Sequence, residues 1–323
     1  MSEAAPSHAL LRPRVLVPLV LVALIWGSTW LVIKDQVGPQ TGEVPPSWSV
    51  AWRFMLAAVC MGILAKFRGE RLRLDRAGHI AAIYIGVTQF CLNFNLVYRA
   101  ELYVTSGIVA VLFALLMLPN ALLGKIFLGS PVTRRFIAGT GIALAGIALM
   151  LLHEARIAEL GSGVWWGVAL VILAILSASV ANVLQAAPTA RRQPMLALLT
   201  YAMAWGAAFD IVFAWAVSGP PVLPLDGRYL AGVAYLAIIG SVVTFPLYFQ
   251  LIREIGPGRA AYNGVMVPVV AMALSTMFEG YRWTWLAAGG GALAMLGLVV
   301  ALRGRSVASA PSAEQEVGTA EKR

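Results

Sequence analysis

TRRFIAGTGIALAGIAL at residues 133–149 and TWLAAGGGALAMLGLVV at residues 284–300 lie 151 positions apart and match Thr133 with Thr284, Gly139 with Gly290, Ala143 with Ala294 and Gly146 with Gly297. The same offset holds elsewhere. ALIWGSTWLVIK (23–34) falls on AILSASVANVLQ (174–185), matching Ala23 with Ala174, Ser28 with Ser179 and Val32 with Val183, and Gly107 and Ala110 meet Gly258 and Ala261. Pro119 and Pro268 differ by 149, so a small insertion or deletion separates the halves. Repetition at one long period identifies two copies of a structural unit.

Composition says where that unit lives. Of 323 residues, 60% are hydrophobic and 12% charged, with a mean hydropathy of +0.80, against about 45–50% apolar residues in a soluble domain. Val15 to Ile33 carries no formal charge, and about 20 such residues cross a hydrocarbon core of about 30 Å. Arg12 and Arg14 precede it, but the run exceeds the ~7–15 residues of a signal peptide and no small-x-small cleavage site follows, so it reads as a retained first transmembrane helix. Ten apolar segments follow in the same way, near 15–34, 47–66, 78–98, 103–124, 135–152, 164–185, 195–217, 229–250, 260–278 and 283–302, joined by short turn-rich connections. The expected fold class is an all-α integral membrane protein. Residues 1–14 form an amino-terminal tail, 15–152 a first five-helix repeat, 164–302 a second, and 303–323 a small, polar, disordered tail. Five helices per half is odd, so the second half crosses the membrane in the opposite sense, giving two inverted repeats around a central cavity.

Lys and Arg collect on the cytoplasmic side of short loops. With the amino terminus inside, 18 of the 24 Lys and Arg fall in cytoplasmic loops and tails, five in the opposite loops, and Arg53 lies within a helix. Both termini are therefore expected in the cytoplasm of an inner-membrane, multi-pass protein. The net charge of +9 is a topology signal, and no basic module with interleaved aromatics points to nucleic acid.

The helix interiors hold polar groups at similar depth. Trp26 sits near the midplane of helix 1, Ser28 and Thr29 follow half a turn on, and Trp26 and Trp30 share a face. Gln89 and Asn93 lie one turn apart on helix 3, with Asn95 and Tyr98 on another face; Ser179, Asn182 and Gln185 recur every three residues on helix 6; Ser241, Thr244 and Tyr248 stripe helix 8; Asn120 follows Pro119. Amides and hydroxyls in hydrocarbon are costly unless paired. They are candidate substrate-binding groups lining a cavity, or else interhelical packing contacts. Pro119, Pro246 and Pro268 are hinges, cavity walls or simple packing kinks. Arg53 and Asp210 both sit roughly 10 Å below the outer surface, which permits a salt bridge. They read as an outer gate, a coupling group or a substrate-charge contact, against a fixed buried pair or a snorkelling arginine. Asp210 is the one carboxylate well inside an apolar span, with Glu101 and Glu279 near helix ends.

No catalytic or metal constellation emerges. His8, His79 and His153 are scattered, Cys60 and Cys91 read as small buried hydrophobes, and GSG at 161–163 lacks the lysine of a phosphate loop. No catalytic residue, metal or cofactor is expected. A lipid-modifying enzyme would need a carboxylate or histidine cluster at one interface; a receptor or scaffold is disfavoured by the inverted repeat.

The segments WGSTWLVIK, SWSVAWRFMLAA and the Pro-then-Gly-rich close of each half make the chain resemble the drug/metabolite transporter superfamily, of the EamA type, over about residues 15–302. The resemblance implies ten helices in two inverted repeats and export of amino acids or related metabolites in many bacterial members. Where many relatives carry Gly-Glu before the last helix of a half, this chain has Gly129-Ser130 and Glu279-Gly280. The expected partners are a small-molecule substrate and the lipid bilayer, with no nucleic acid, and a homodimer is compatible with the sequence. Nucleobases or drugs, moved in either direction, are the alternative cargo.

Overall fold

The computed structural model describes residues 13–38, 44–129, 132–157, 163–255 and 263–306. Among these the chain is helical, without strands: α1 (Pro13–Val37), α2 (Pro46–Phe67), α3 (Arg76–Ala100), α4 (Ser106–Phe127), α5 (Arg134–Ile157), α6 (Gly163–Ala186), α7 (Met195–Ser218), α8 (Gly227–Tyr248, continuing to Ile255), α9 (Asn263–Phe278) and α10 (Trp285–Ser306). Seven of these, α1–α4 and α6–α8, are long and apolar enough to cross a membrane, and Asn263–Phe278 and Trp285–Ala301 are shorter apolar helices. Most of both expected tails, and the loop holding Gly258 and Ala261, lie outside the described residues.

The repeat is written into local structure. Asp75 and Asp226, 151 apart, cap α3 and α8: Gly78 N donates to Asp75 Oδ1 at 2.6 Å and Tyr229 N to Asp226 Oδ2 at 2.9 Å, satisfying helix-start donors that would otherwise be orphaned. Both helices then widen into a π-helical stretch, Gly86–Asn93 in α3 and Tyr235–Val243 in α8, a deviation that is rare and concentrated at functional sites. In α4 the turn Ala114–Leu116 tightens to 3₁₀ just before Pro119, whose ring excludes the carbonyl four residues back. Pro119, read from the sequence as a hinge, a cavity wall or a packing kink, thus follows a local interruption of the α-helix. Gly129 ends the helix with φ 66°, a left-handed cap open to a residue without Cβ.

Two pairs of equivalent helices from the two halves pack antiparallel. In the α5–α10 pair Gly139 lies on Gly297 and Ala301, and Gly146 on Gly290 and Ala294; a Cβ at any of these four glycines would run into the facing backbone. Such close backbone approach is how helices associate where lipid removes the hydrophobic drive. α2 runs antiparallel to α7: Trp48 Nε1 reaches Gly219 O at 3.3 Å, Gly62 faces Thr200, and Ala197 N donates to Glu70 Oε1 at 3.0 Å. Contacts exchange in step, since α1 packs on α8 and α9 while α6 packs on α3 and α4. The largest buried cluster, with Phe54, Met61, Phe90, Tyr98, Met203 and Leu236, joins the halves. Val59, Ile63, Ile172, Leu173 and Val212 are exposed, as lipid-facing positions would be.

Candidate functional site

Where α1 meets α8, the predicted residues converge. Trp26 Nε1 donates to Thr244 Oγ1 at 3.0 Å, and its ring stands 5.0 Å from Tyr248 and 5.7 Å from Phe245. Ser28 Oγ and Tyr235 OH share a hydrogen bond of 2.6 Å. The hydroxyls of Thr29 and Thr244 are held by their own helices, donating to Trp26 O and Gly240 O at 2.7 Å each. Trp30 packs at 4.9 Å from Phe113 of α4, with its buried Nε1 lacking an acceptor among the described residues. Gly27 answers a steric need: a Cβ there would strike Val270 of α9. Trp26, Ser28 and Trp30 are half-buried, whereas Thr29 and Thr244 are buried.

From Trp26 a chain of rings crosses the bundle. Phe245 stands 5.8 Å from Phe90, Phe90 5.0 Å from Phe54, and Phe54 4.9 Å from Phe94. It ends beneath the Arg53 guanidinium, 4.3 Å from the Phe94 centroid and 5.1 Å from that of Phe54, distances at which ring quadrupoles attract a cation. Arg53 is 2% exposed; Nη2 donates to Ser241 Oγ at 3.3 Å, while Nε and Nη1 have no acceptor among the described residues. Gln89 and Asn93 flank this path, but Asn93 Nδ2 turns back to Gln89 O at 3.3 Å and its Oδ1 has no donor among the described residues.

The remaining predicted residues lie apart from this junction, on α4 and α6. Asn182 of α6 donates to Asn120 of α4 at 3.3 Å, and Ser179, the counterpart of Ser28, is fully buried with no partner for its hydroxyl among the described residues.

Arg53 and Asp210 do not pair. Asp210 Oδ1 accepts from Asn95 Nδ2 at 2.7 Å; Asn95 Oδ1 accepts from Arg99 Nη1 at 3.0 Å, and Arg99 Nη2 donates to Ser47 Oγ at 2.8 Å. Equal depth along two helices does not fix the direction around them: Asp210 turns to α3 and Arg53 to α8. Both belong to a polar layer at the Lys34 end of the bundle. There Lys34 Nζ bonds the carbonyls of Glu101 and Val104, Tyr98 OH donates to Gln36 Oε1 at 3.0 Å, and Ser106 Oγ donates to Glu279 Oε2 at 2.8 Å. Ser275 also donates to Glu279, and Arg228 pairs with Asp35.

Sequence reasoning missed Tyr235, Phe245 and the Phe54–Phe90–Phe94 path. Phe90 and Phe94 are four apart, a spacing that marks one face of α3, yet core phenylalanines show the same spacing. The Lys34–Glu101 contact had no signal, because it joins a helix end to a turn 67 residues away. Among the described residues no group of three or more His, Cys, Asp or Glu could hold a metal ion.

A sequence model of the EamA-like transporter family matches the chain twice, at residues 14–152 and 165–303. The chain is 32% identical over 287 residues to the "Uncharacterized inner membrane transporter YedA" of Escherichia coli (strain K12), covering 86% of this chain and 90% of that one. It is 26% identical to "Protein PagO" of Salmonella typhimurium, with 81% and 84% covered. It is also 26% identical to the "Probable terminal-alkyne amino-acid exporter" of Streptantibioticus cattleyicolor, with 87% and 91% covered. A solved crystal structure shares the fold at a TM-score of 0.63 and 20% identity, over 92% of this chain and 98% of the other. Matched in both halves, the protein belongs to the EamA-like transporter family.

Proposed function

We propose that the protein is a ten-helix inner-membrane transporter, built as two inverted repeats, that exports amino acids or related amphipathic metabolites by alternating access. Both termini face the cytoplasm, and a homodimer is compatible with the lipid-facing surface. The observation that carries the reading is the α1–α8 junction. Half-buried tryptophan, serine and tyrosine groups meet there between the halves, at a π-helical stretch, with aromatic faces for an apolar moiety and hydroxyls for a polar one. A mostly apolar site with a few placed polar groups is what a small amphipathic ligand requires. The bonded layer at the Lys34 end corresponds to a closed outer gate, so solute enters from the cytoplasm. The amino-acid exporter among the relatives supports the cargo class.

The stacked rings also suit a planar nucleobase, which is the second reading. Both are tested by counterflow of labelled amino acids and nucleobases in proteoliposomes. Exchange of an amino acid supports the first, exchange of a nucleobase alone supports the second, and no exchange of either class rejects both.

A further inference from the structure

We propose that Glu101 is the proton-binding group of the gate at the Lys34 end, taking up a proton when that end closes and releasing it when it opens. This rests on the alternating-access reading above, but concerns a site apart from the substrate site. Glu101 sits in the turn between α3 and α4, is fully buried, and neither carboxylate oxygen has a donor among the described residues. A dry carboxylate without donors costs far more than the neutral acid in the same place.

The ionisable neighbours come from every side, and none donates a hydrogen bond to the Glu101 carboxylate among the described residues. Lys34 of α1 spends its ammonium on the Glu101 and Val104 carbonyls. Arg53 of α2 bonds Ser241, Tyr98 of α3 bonds Gln36, and Glu279, beyond α9, is held by Ser106 and Ser275. Lys34 already occupies the carbonyls that a sodium ion would need, so the ligand is a proton. Burial pushes the Glu101 carboxyl well above the usual carboxylate range; Lys34 and Arg53 oppose this, and Glu279 adds to it. The sign follows from linkage. With the gate open, water restores the ordinary carboxylate value, so closure becomes harder as pH rises from that value towards the raised one. Acid favours the closed gate. The step is carboxylate plus one proton from the adjoining solution giving the carboxylic acid, and an exporter that has released its solute closes with that proton aboard.

The test places spin labels at Leu102 and Phe278, both exposed, in a Cys60→Ala, Cys91→Ala background in liposomes, and measures their separation from acid to alkaline buffer. The wild-type gate should show one short distance in acid and a growing longer population in alkali. Glu101→Gln, which mimics the protonated acid, should stay short at every pH, and Glu279→Gln should shift the opening midpoint to lower pH. A pH-independent distance in the wild type, or an unchanged response in Glu101→Gln, overturns the proposal. Infrared spectra of the wild type give a reading that needs no Glu101 variant: a protonated-carboxyl stretch must titrate with the distance change, and its absence also overturns the proposal. A distance response without exchange of any panel solute would reject the substrate reading while supporting the gate.

Discussion

The two halves meet in two contrasting ways. Along α5–α10 the contact is backbone on backbone: Gly139, Gly146, Gly290 and Gly297 leave no room for a single added carbon. Along α1–α8 the contact is made by side chains, namely Trp26, Ser28, Thr244, Tyr235 and Tyr248, several of them half-buried. Near that junction lie buried polar atoms without partners among the described residues, Arg53 Nε and Trp30 Nε1 among them. Close-packed interfaces resist sliding, whereas a junction of hydrogen bonds and rotatable rings has more than one low-energy arrangement. The same two repeats thus meet in one seam packed backbone on backbone and in one made by side chains, which the transport reading requires to be the fixed and the movable seam respectively.

The sharpest way to break that contrast is to fill the fixed seam. Gly146→Leu should destabilise the protein by about 3 kcal/mol, read as a lowered melting temperature in detergent, because the added carbons meet the Ala294 backbone. At the movable seam, Trp26→Phe removes one indole N–H and leaves Thr244 bonded to Gly240 O. It should lower stability by only about 1 kcal/mol while reducing solute flux severalfold. Equal thermal losses in these two variants would mean the seams do not differ.

Asp210→Asn should be milder still, with flux within about twofold of wild type, since an amide oxygen can accept the same Asn95 bond. A large loss would restore Asp210 as a gating or coupling group. The smallest effect belongs to the caps. The Gly78 N–H and the Gln193 amide hold the Asp75 carboxyl below its ordinary range. That stabilisation is therefore present above the ordinary value and is lost as pH falls through the lowered one. Asp75→Asn, which keeps a capping oxygen, should flatten this acid-dependent change in melting temperature.

Much of this was legible beforehand. The glycine register that matched residues 133–149 to 284–300 is the α5–α10 seam itself, because backbone contact forces particular residues at particular spacings. Trp26, Ser28, Thr244 and Tyr248, which converge in the structure, stood out because polar and aromatic groups in hydrocarbon are conspicuous. That Arg53 and Asp210 face different helices was not legible, since helix depth is one coordinate and azimuth depends on neighbours. Glu101 was noticed only as a helix-end carboxylate, because nothing in the linear chain reports that the turn holding it is buried.

The most direct test of the central claim is to lock the α1–α8 seam. A Cβ at Gly240 would lie 2.9 Å from Thr29 Cγ2, so Thr29→Cys with Gly240→Cys, in a background without Cys60 and Cys91, brings two thiols within disulfide reach. Exchange in proteoliposomes should stop when the pair is oxidised and return on reduction. Equal exchange in the oxidised and reduced states would show that α1 and α8 need not part, and would contradict the account.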